Sequence, residues 1–101
     1  MNKRMYVLVN DKLTKSQRIP QASHAVSEYV FEYHDGLADW IKNHRTIVVL
    51  HCSEDEMEML SLELKSKIFR DDDLDNMLTA VAFEPMYQNE GNYYFSKMRL
   101  A

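Results

Sequence analysis

Gln21, His24 and Glu28 recur at three- and four-residue spacing, which on a helix lines up a carboxamide, an imidazole and a carboxylate along one polar stripe. An amide presents both a donor and an acceptor, so Gln21 can orient a water molecule or a carbonyl. An imidazole titrates near neutral pH, which makes His24 a candidate for proton transfer; the competing reading is a hydrogen-bonded structural histidine. Ser23 adjoins His24, but neighbours on a helix point roughly 100° apart, which argues against a Ser–His nucleophile pair. Farther along, Asp71, Asp72, Asp73 and Asp75 crowd one short stretch. It is either a solvated acidic loop or a divalent-metal site, and it lacks the spacing of a calcium loop. His34, His44, His51 and Cys52 do not show zinc-ligand spacing either, so no metal and no other cofactor is expected. Lys12, Lys15 and Arg18 can hold phosphate near the positive end of a helix, or form an ordinary basic loop. Tyr93, Tyr94 and Phe95 can stack on a base, pack a core edge or make a dimer contact.

The elements that must position these side chains follow from hydrophobic periodicity. Tyr6 to Asn10 is a short β-branched run, a buried strand. The polar stretch Asp11 to Ser16 predicts a loop, and a helix follows to about Tyr33. Its apolar residues Ile19, Ala22, Val26, Tyr29, Val30 and Tyr33 form one stripe, with Pro20 near the helix start. Leu37 to Lys42 reads as a short amphipathic turn or helix. Thr46 to Cys52 is a continuous apolar strand of the kind covered on both faces. Ser53-Glu54-Asp55-Glu56 fits a capping box opening a helix with Met57, Leu60 and Leu64 on its buried side. Ile68 to Arg70 and Leu78 to Glu84 predict two further strands around the acidic loop, and Pro85 stops the last one. The aromatic tail carries no predicted element. This order predicts an α/β fold: a three-layer α/β/α arrangement with a mixed, mostly parallel four-stranded sheet, whose final pair is antiparallel because its connection is short.

The chain has 101 residues, 46% of them hydrophobic and 28% charged, the balance of one ordinary globular domain over residues 1–101. A single cysteine permits no intrachain disulfide, and the apolar run Met5 to Val9 is too short for a signal peptide or a membrane span. A cytoplasmic protein is expected. The net charge of −4 is unevenly distributed. Residues 1–20 carry Lys3, Arg4, Lys12, Lys15 and Arg18 against Asp11, and the last ten add Lys97 and Arg99, while the acids crowd the middle. If the two ends meet they form a basic patch able to hold phosphates; if not, they are solvated surface.

Two segments carry a family resemblance. Ser16-Gln17-Arg18-Ile19-Pro20-Gln21-Ala22-Ser23-His24-Ala25 is similar to the signature of type-II peptidyl-tRNA hydrolases, a strand followed by a helix bearing G-K-x-A-x-Q-x-S-H-A. Phe69-Arg70-Asp71-Asp72-Asp73-Leu74-Asp75-Asn76-Met77-Leu78-Thr79-Ala80 resembles the F-R-E-P-D-L-G-N-E-L-T-A segment of a short, compact branch of that family. The resemblance covers roughly residues 5 to 85. It implies a mixed four-stranded sheet flanked by helices, a homodimer, and metal-independent hydrolysis of the ester between a peptide and the 3′ ribose of tRNA.

Carried over residue by residue, the resemblance assigns Gln21 and Asp73 to positioning water, with His24 and Thr79 supporting the site. Lys15 and Arg18 would hold the RNA backbone, and Ser23 and Asn76 would touch the substrate. Two departures stand out. Gln17 occupies the place of the family's lysine, and the long D-A-G-x-T-Q loop of other members is shortened to Asp71–Leu78. The alternative expectation is therefore a non-catalytic tRNA- or protein-binding module that retains the fold.

Overall fold

In the computed structural model, which describes residues 2–101, the sheet grows outward from a buried central strand. β1 (Lys3–Asn10) carries Met5, Val7 and Val9 on one face and Tyr6 and Leu8 on the other, all five buried. The first face is closed by α1 (Lys15–Tyr33), through Ala22, Ala25 and Tyr29, and by α2 (Ala38–Asn43), through Trp40. The second is closed by α3 (Glu54–Glu63), through Met57 and Leu60, and by α4 (Gln88–Phe95), through Phe95. Helices thus cover both faces, which is why β1 is apolar from Met5 to Val9 instead of alternating.

β2 (Thr46–Cys52) lies parallel to β1, from Arg4 opposite Thr46 to Asn10 opposite Cys52. β4 (Met77–Phe83) lies antiparallel on the other side of β1, and β3 (Ser66–Asp71) antiparallel to β4. Two-residue strands complete the sheet: β5 (Met86–Tyr87) continues along β1 beyond Pro85, and β6 (Arg99–Leu100) adds to β2. The order is β3-β4-β1-β2-β6, with β5 on β1. Among the described residues the sheet therefore has six strands, and β1–β2 is its one parallel pair. It is mixed but mostly antiparallel, in place of the mostly parallel four-stranded sheet that the element order predicts. The cause is adjacency, not direction. β3 runs the same way as β1 and β2, but β4 returns between β3 and β1 and takes the hydrogen bonds of both. The short β3–β4 connection makes that pair antiparallel, as its length predicts.

Local chemistry accounts for the helix ends. The Gln17 side chain reaches back to α1's start, where its Oε1 accepts from the Thr14 N–H at 2.9 Å. Pro20 sits in the second turn of α1 and not at its start, so the Ser16 carbonyl has no N–H four residues on to accept from. At α3 the Ser53 hydroxyl accepts from the Glu56 N–H at 3.2 Å, and the Glu56 carboxylate accepts from the Ser53 N–H in return, the reciprocal box that its sequence predicts. Among the described residues no helix is long and apolar enough to cross a membrane.

α4 is the element that the aromatic tail conceals. Its buried residues are Gly91 and Phe95, one turn apart. Phe95 stacks on Tyr6 with ring centroids 4.9 Å apart, and a Cβ added at Gly91 would lie 2.2 Å from the Tyr6 ring. Alanine in place of glycine inside a helix ordinarily stabilises by about 1 kcal/mol. Here the close approach reverses the sign. Gly91→Ala is expected to cost about 1–3 kcal/mol through overpacking, read as a lowered urea midpoint, while Asn92→Ala beside it stays within about 0.5 kcal/mol of wild type. An unchanged midpoint for Gly91→Ala would show that α4 does not seat on Tyr6.

Candidate functional site

Polar side chains collect where β1, β2 and β3 end and the chain turns into α1, α3 and the β3–β4 loop, the end of a sheet where α/β proteins usually bind ligands. Gln21 faces the sheet from the second turn of α1 and is 7% exposed. Its Nε2 donates to Asp71 Oδ2 at 2.7 Å, and its Oε1 accepts from the Thr79 hydroxyl at 2.7 Å. Asp71 Oδ1 accepts from the Asp73 N–H at 2.9 Å, which caps the turn at Asp72–Leu74. Hydroxyl, amide and carboxylate form one chain in which every donor points toward the negative end, so each bond polarises the next.

Thr79 reaches Gln21 because β4 is irregular. Phe69 faces Ala80 and Arg70 faces Leu78, which leaves Thr79 as the extra residue of a β-bulge. Ala80 packs in the cluster beneath α1 and Thr79 bonds to α1, so two successive residues face the same side.

On the opposite face of the sheet, Asn10 ties the same strand ends together. Its Nδ2 donates to the Leu78 carbonyl at 2.9 Å and to Glu54 Oε1 at 3.1 Å, and its Oδ1 accepts from the Lys12 N–H at 2.9 Å. One strand farther, His51 Nδ1 donates to Asp11 Oδ1 at 2.5 Å. A polar row therefore runs across β3, β4, β1 and β2, roughly 14 Å at the usual strand spacing. Cys52, buried at the end of β2, is no nucleophile: burial pushes its thiol up to about 12, with the nearby carboxylates of Glu56 and Asp11 adding to the effect.

The structure brings Gln21 and Thr79 together with the acidic turn, but the carboxylate that meets Gln21 belongs to Asp71, not to Asp73. Asp73 contributes its backbone N–H, and its side chain is exposed. The physical reason lies in the strand boundary. β3 runs on to Asp71, two residues from Phe69, so both point toward α1; ending the strand at Arg70 hides this. His24 is exposed and lies flat over Phe69, with ring centroids 4.7 Å apart and planes 16° apart. Neither of its ring nitrogens has a hydrogen-bond partner among the described residues, so it is not a hydrogen-bonded core histidine.

Ser23 faces away from this cluster. Its hydroxyl donates to the Ile19 carbonyl at 3.0 Å, and it lines an apolar groove of about 330 Å³ between α1 and β2. Lys15 is exposed at the first helical position. Arg18 precedes Gln21 by one turn, and its buried Nε has no hydrogen-bond partner among the described residues. Asn76 follows Asp75 in a pair of left-handed residues, φ 60° and 56°. Its N–H donates to the Asp71 carbonyl and its carbonyl accepts from Arg70, so it shapes the turn. Of the aromatic trio, Phe95 is core, whereas Tyr93 is largely exposed. Among the described residues no three His, Cys, Asp or Glu side chains are placed to hold a metal ion.

Removing the Thr79 hydroxyl leaves the buried Gln21 carbonyl without its donor. Thr79→Val is therefore expected to lower stability by about 1–3 kcal/mol in urea denaturation; a change within about 0.5 kcal/mol would contradict the bonded chain. For Cys52 the unfolded chain ionises its thiol from about pH 9, while the folded chain holds the proton to about 12. A thiol reagent at pH about 8 is expected to label urea-unfolded protein readily and native protein barely. Equal rates would place Cys52 in contact with solvent.

Over 100% of its length the chain is similar in structure to Atu0240 of Agrobacterium tumefaciens str. C58, a protein of unknown function, with 98% of that chain covered, a TM-score of 0.65 and 12% sequence identity. At that identity the likeness speaks to the fold alone. No protein-family model and no curated protein matches the chain.

Proposed function

We propose that the chain is a metal-independent, peptidyl-tRNA hydrolase-like esterase, which cleaves the ester between a peptide and the 3′ ribose of tRNA. The supporting observation is the Thr79–Gln21–Asp71 chain, where the two family-like segments meet, with His24 one turn after Gln21 and Arg18 one turn before it. Asp71 is the half-buried member of the three. Each of its oxygens holds one protein donor, and a carboxylate offers about four acceptor positions, so room remains for a water.

In this reading the water on Asp71 gives its proton to the carboxylate as its oxygen bonds to the ester carbonyl carbon. The C–O bond to the ribose then breaks, and the departing oxygen takes a proton from the unpartnered ring of His24. Gln21 fixes the orientation of Asp71 and Thr79 fixes Gln21. Lys15 and Arg18 hold the RNA backbone, and Asn76 bonds the 3′ end. The proposed partners are tRNA and a second copy of the chain, for which the groove with its exposed Ile19 and Ile47 supplies apolar surface.

A second reading, a non-catalytic tRNA- or protein-binding module, is favoured by one observation. Gln21 and Thr79 are both buried and satisfy each other, as purely structural groups would.

Turnover of N-blocked aminoacyl-tRNA separates the two. Asp71→Asn and His24→Ala are each expected to lower kcat/KM by about 10²–10⁴-fold, whereas Asp73→Asn leaves it within about twofold. Wild-type release no faster than that of Gln21→Ala ends the enzymatic reading. Salt-sensitive binding of deacylated tRNA without release would then select the module.

A further inference from the structure

A hollow of about 200 Å³ lies beside the end of β2, lined by Asp11, His51, Cys52, Glu56 and the tail residues Lys97 to Arg99. We infer that it is a phosphate-binding site, in which His51, Lys97 and Arg99 take one phosphate group. The two histidines nearest the sheet ends differ in what they leave free. His44 is fully engaged: its Nδ1 accepts from the Lys3 N–H at 3.1 Å and its Nε2 donates to Asp39 at 3.2 Å. His51 is held on one side only, by Asp11, and its Nε2 has no partner among the described residues. A carboxylate on one ring nitrogen fixes the ring and presents the other to a ligand.

Arg99 stands directly opposite His51 in the β2–β6 pairing, where side chains on one face lie about 5 Å apart. Neither Lys97 nor Arg99 makes an ion pair among the described residues. Of the acids of the hollow, Glu56 accepts from Ser53 at Oε1 in capping α3, and Asp11 accepts from His51 at Oδ1. The donors facing the hollow are the Lys97 ammonium and the Arg99 guanidinium, joined by Nε2–H when the His51 ring is protonated, a set that suits a phosphate's oxygens. The site lies two strands from Thr79 and does not depend on ester cleavage; a failed turnover assay leaves it standing. The occupant is either free phosphate or a phosphodiester of a nucleic-acid backbone.

Titration followed by the His51 imidazole NMR signals at pH about 6 tests the site at constant ionic strength. Inorganic phosphate is expected to shift His51 saturably, with affinity lowered about tenfold in Arg99→Ala and also lowered in Lys97→Ala. Both substituted residues are exposed, so both variants keep the fold. Competition by a short single-stranded RNA assigns the site to backbone phosphate, and lack of competition assigns it to free phosphate. A non-saturable shift, or equal affinity in wild type and both variants, overturns the inference.

Discussion

The carboxamide of Gln21 joins three pieces of chain that are distant in sequence: the second turn of α1, the last residue of β3 and the bulge in β4. Both contacts are short, and the one to Thr79 is buried, so breaking it strands the Gln21 carbonyl without a donor. Asn10 does the equivalent on the other face, binding the Leu78 carbonyl beside Thr79 while holding the starts of α3 and of the loop toward α1. The two amides grip adjacent residues of one strand from opposite sides. That is what keeps the irregular start of β4 in place, and with it every side chain of the candidate site.

The sheet order makes this grip possible. With β4 between β3 and β1, its first residues arrive at the same end as the last residues of β1, β2 and β3. A purely parallel sheet would have brought only strand ends there. The antiparallel insertion adds a strand beginning, so Thr79 can sit opposite α1 while Asp71 closes from the neighbouring strand. The helices on each face then lock the ends: Gln17 at the start of α1 and the Ser53–Glu56 pair at the start of α3.

Much of this was legible in the residues themselves. The unbroken Thr46 to Cys52 run, the Ser53 box and the 3.6-period stripe from Ala22 to Tyr29 are local patterns, and each marks its element directly. The antiparallel turn between β3 and β4 followed from its length. The order of strands did not follow, because pairing β4 with β1 joins residues some seventy positions apart and leaves no local trace. α4 escaped because its inward stripe is built on Gly91, which adds no hydrophobicity; its value is the space it vacates for Tyr6. Within the site, Gln21 and Thr79 stood out through resemblance and residue type. Asp71 was masked by three neighbouring aspartates and by one residue of strand, and Asn10 by its place in an apolar run. The Asp11–His51 contact links the turn after β1 to β2 and has no signature in spacing.

The bulge at Thr79 has an evolutionary implication. Deleting that one residue would let Phe69, Arg70 and their partners pair without interruption, and the sheet would lose an irregularity. The same deletion would remove the hydroxyl that orients the Gln21 amide. Regular pairing and an oriented amide are alternatives at this position. A lineage that drifted toward the smoother strand would keep the architecture and shed the constellation, so the extra residue is a sensitive marker of which descendants of this fold still carry it.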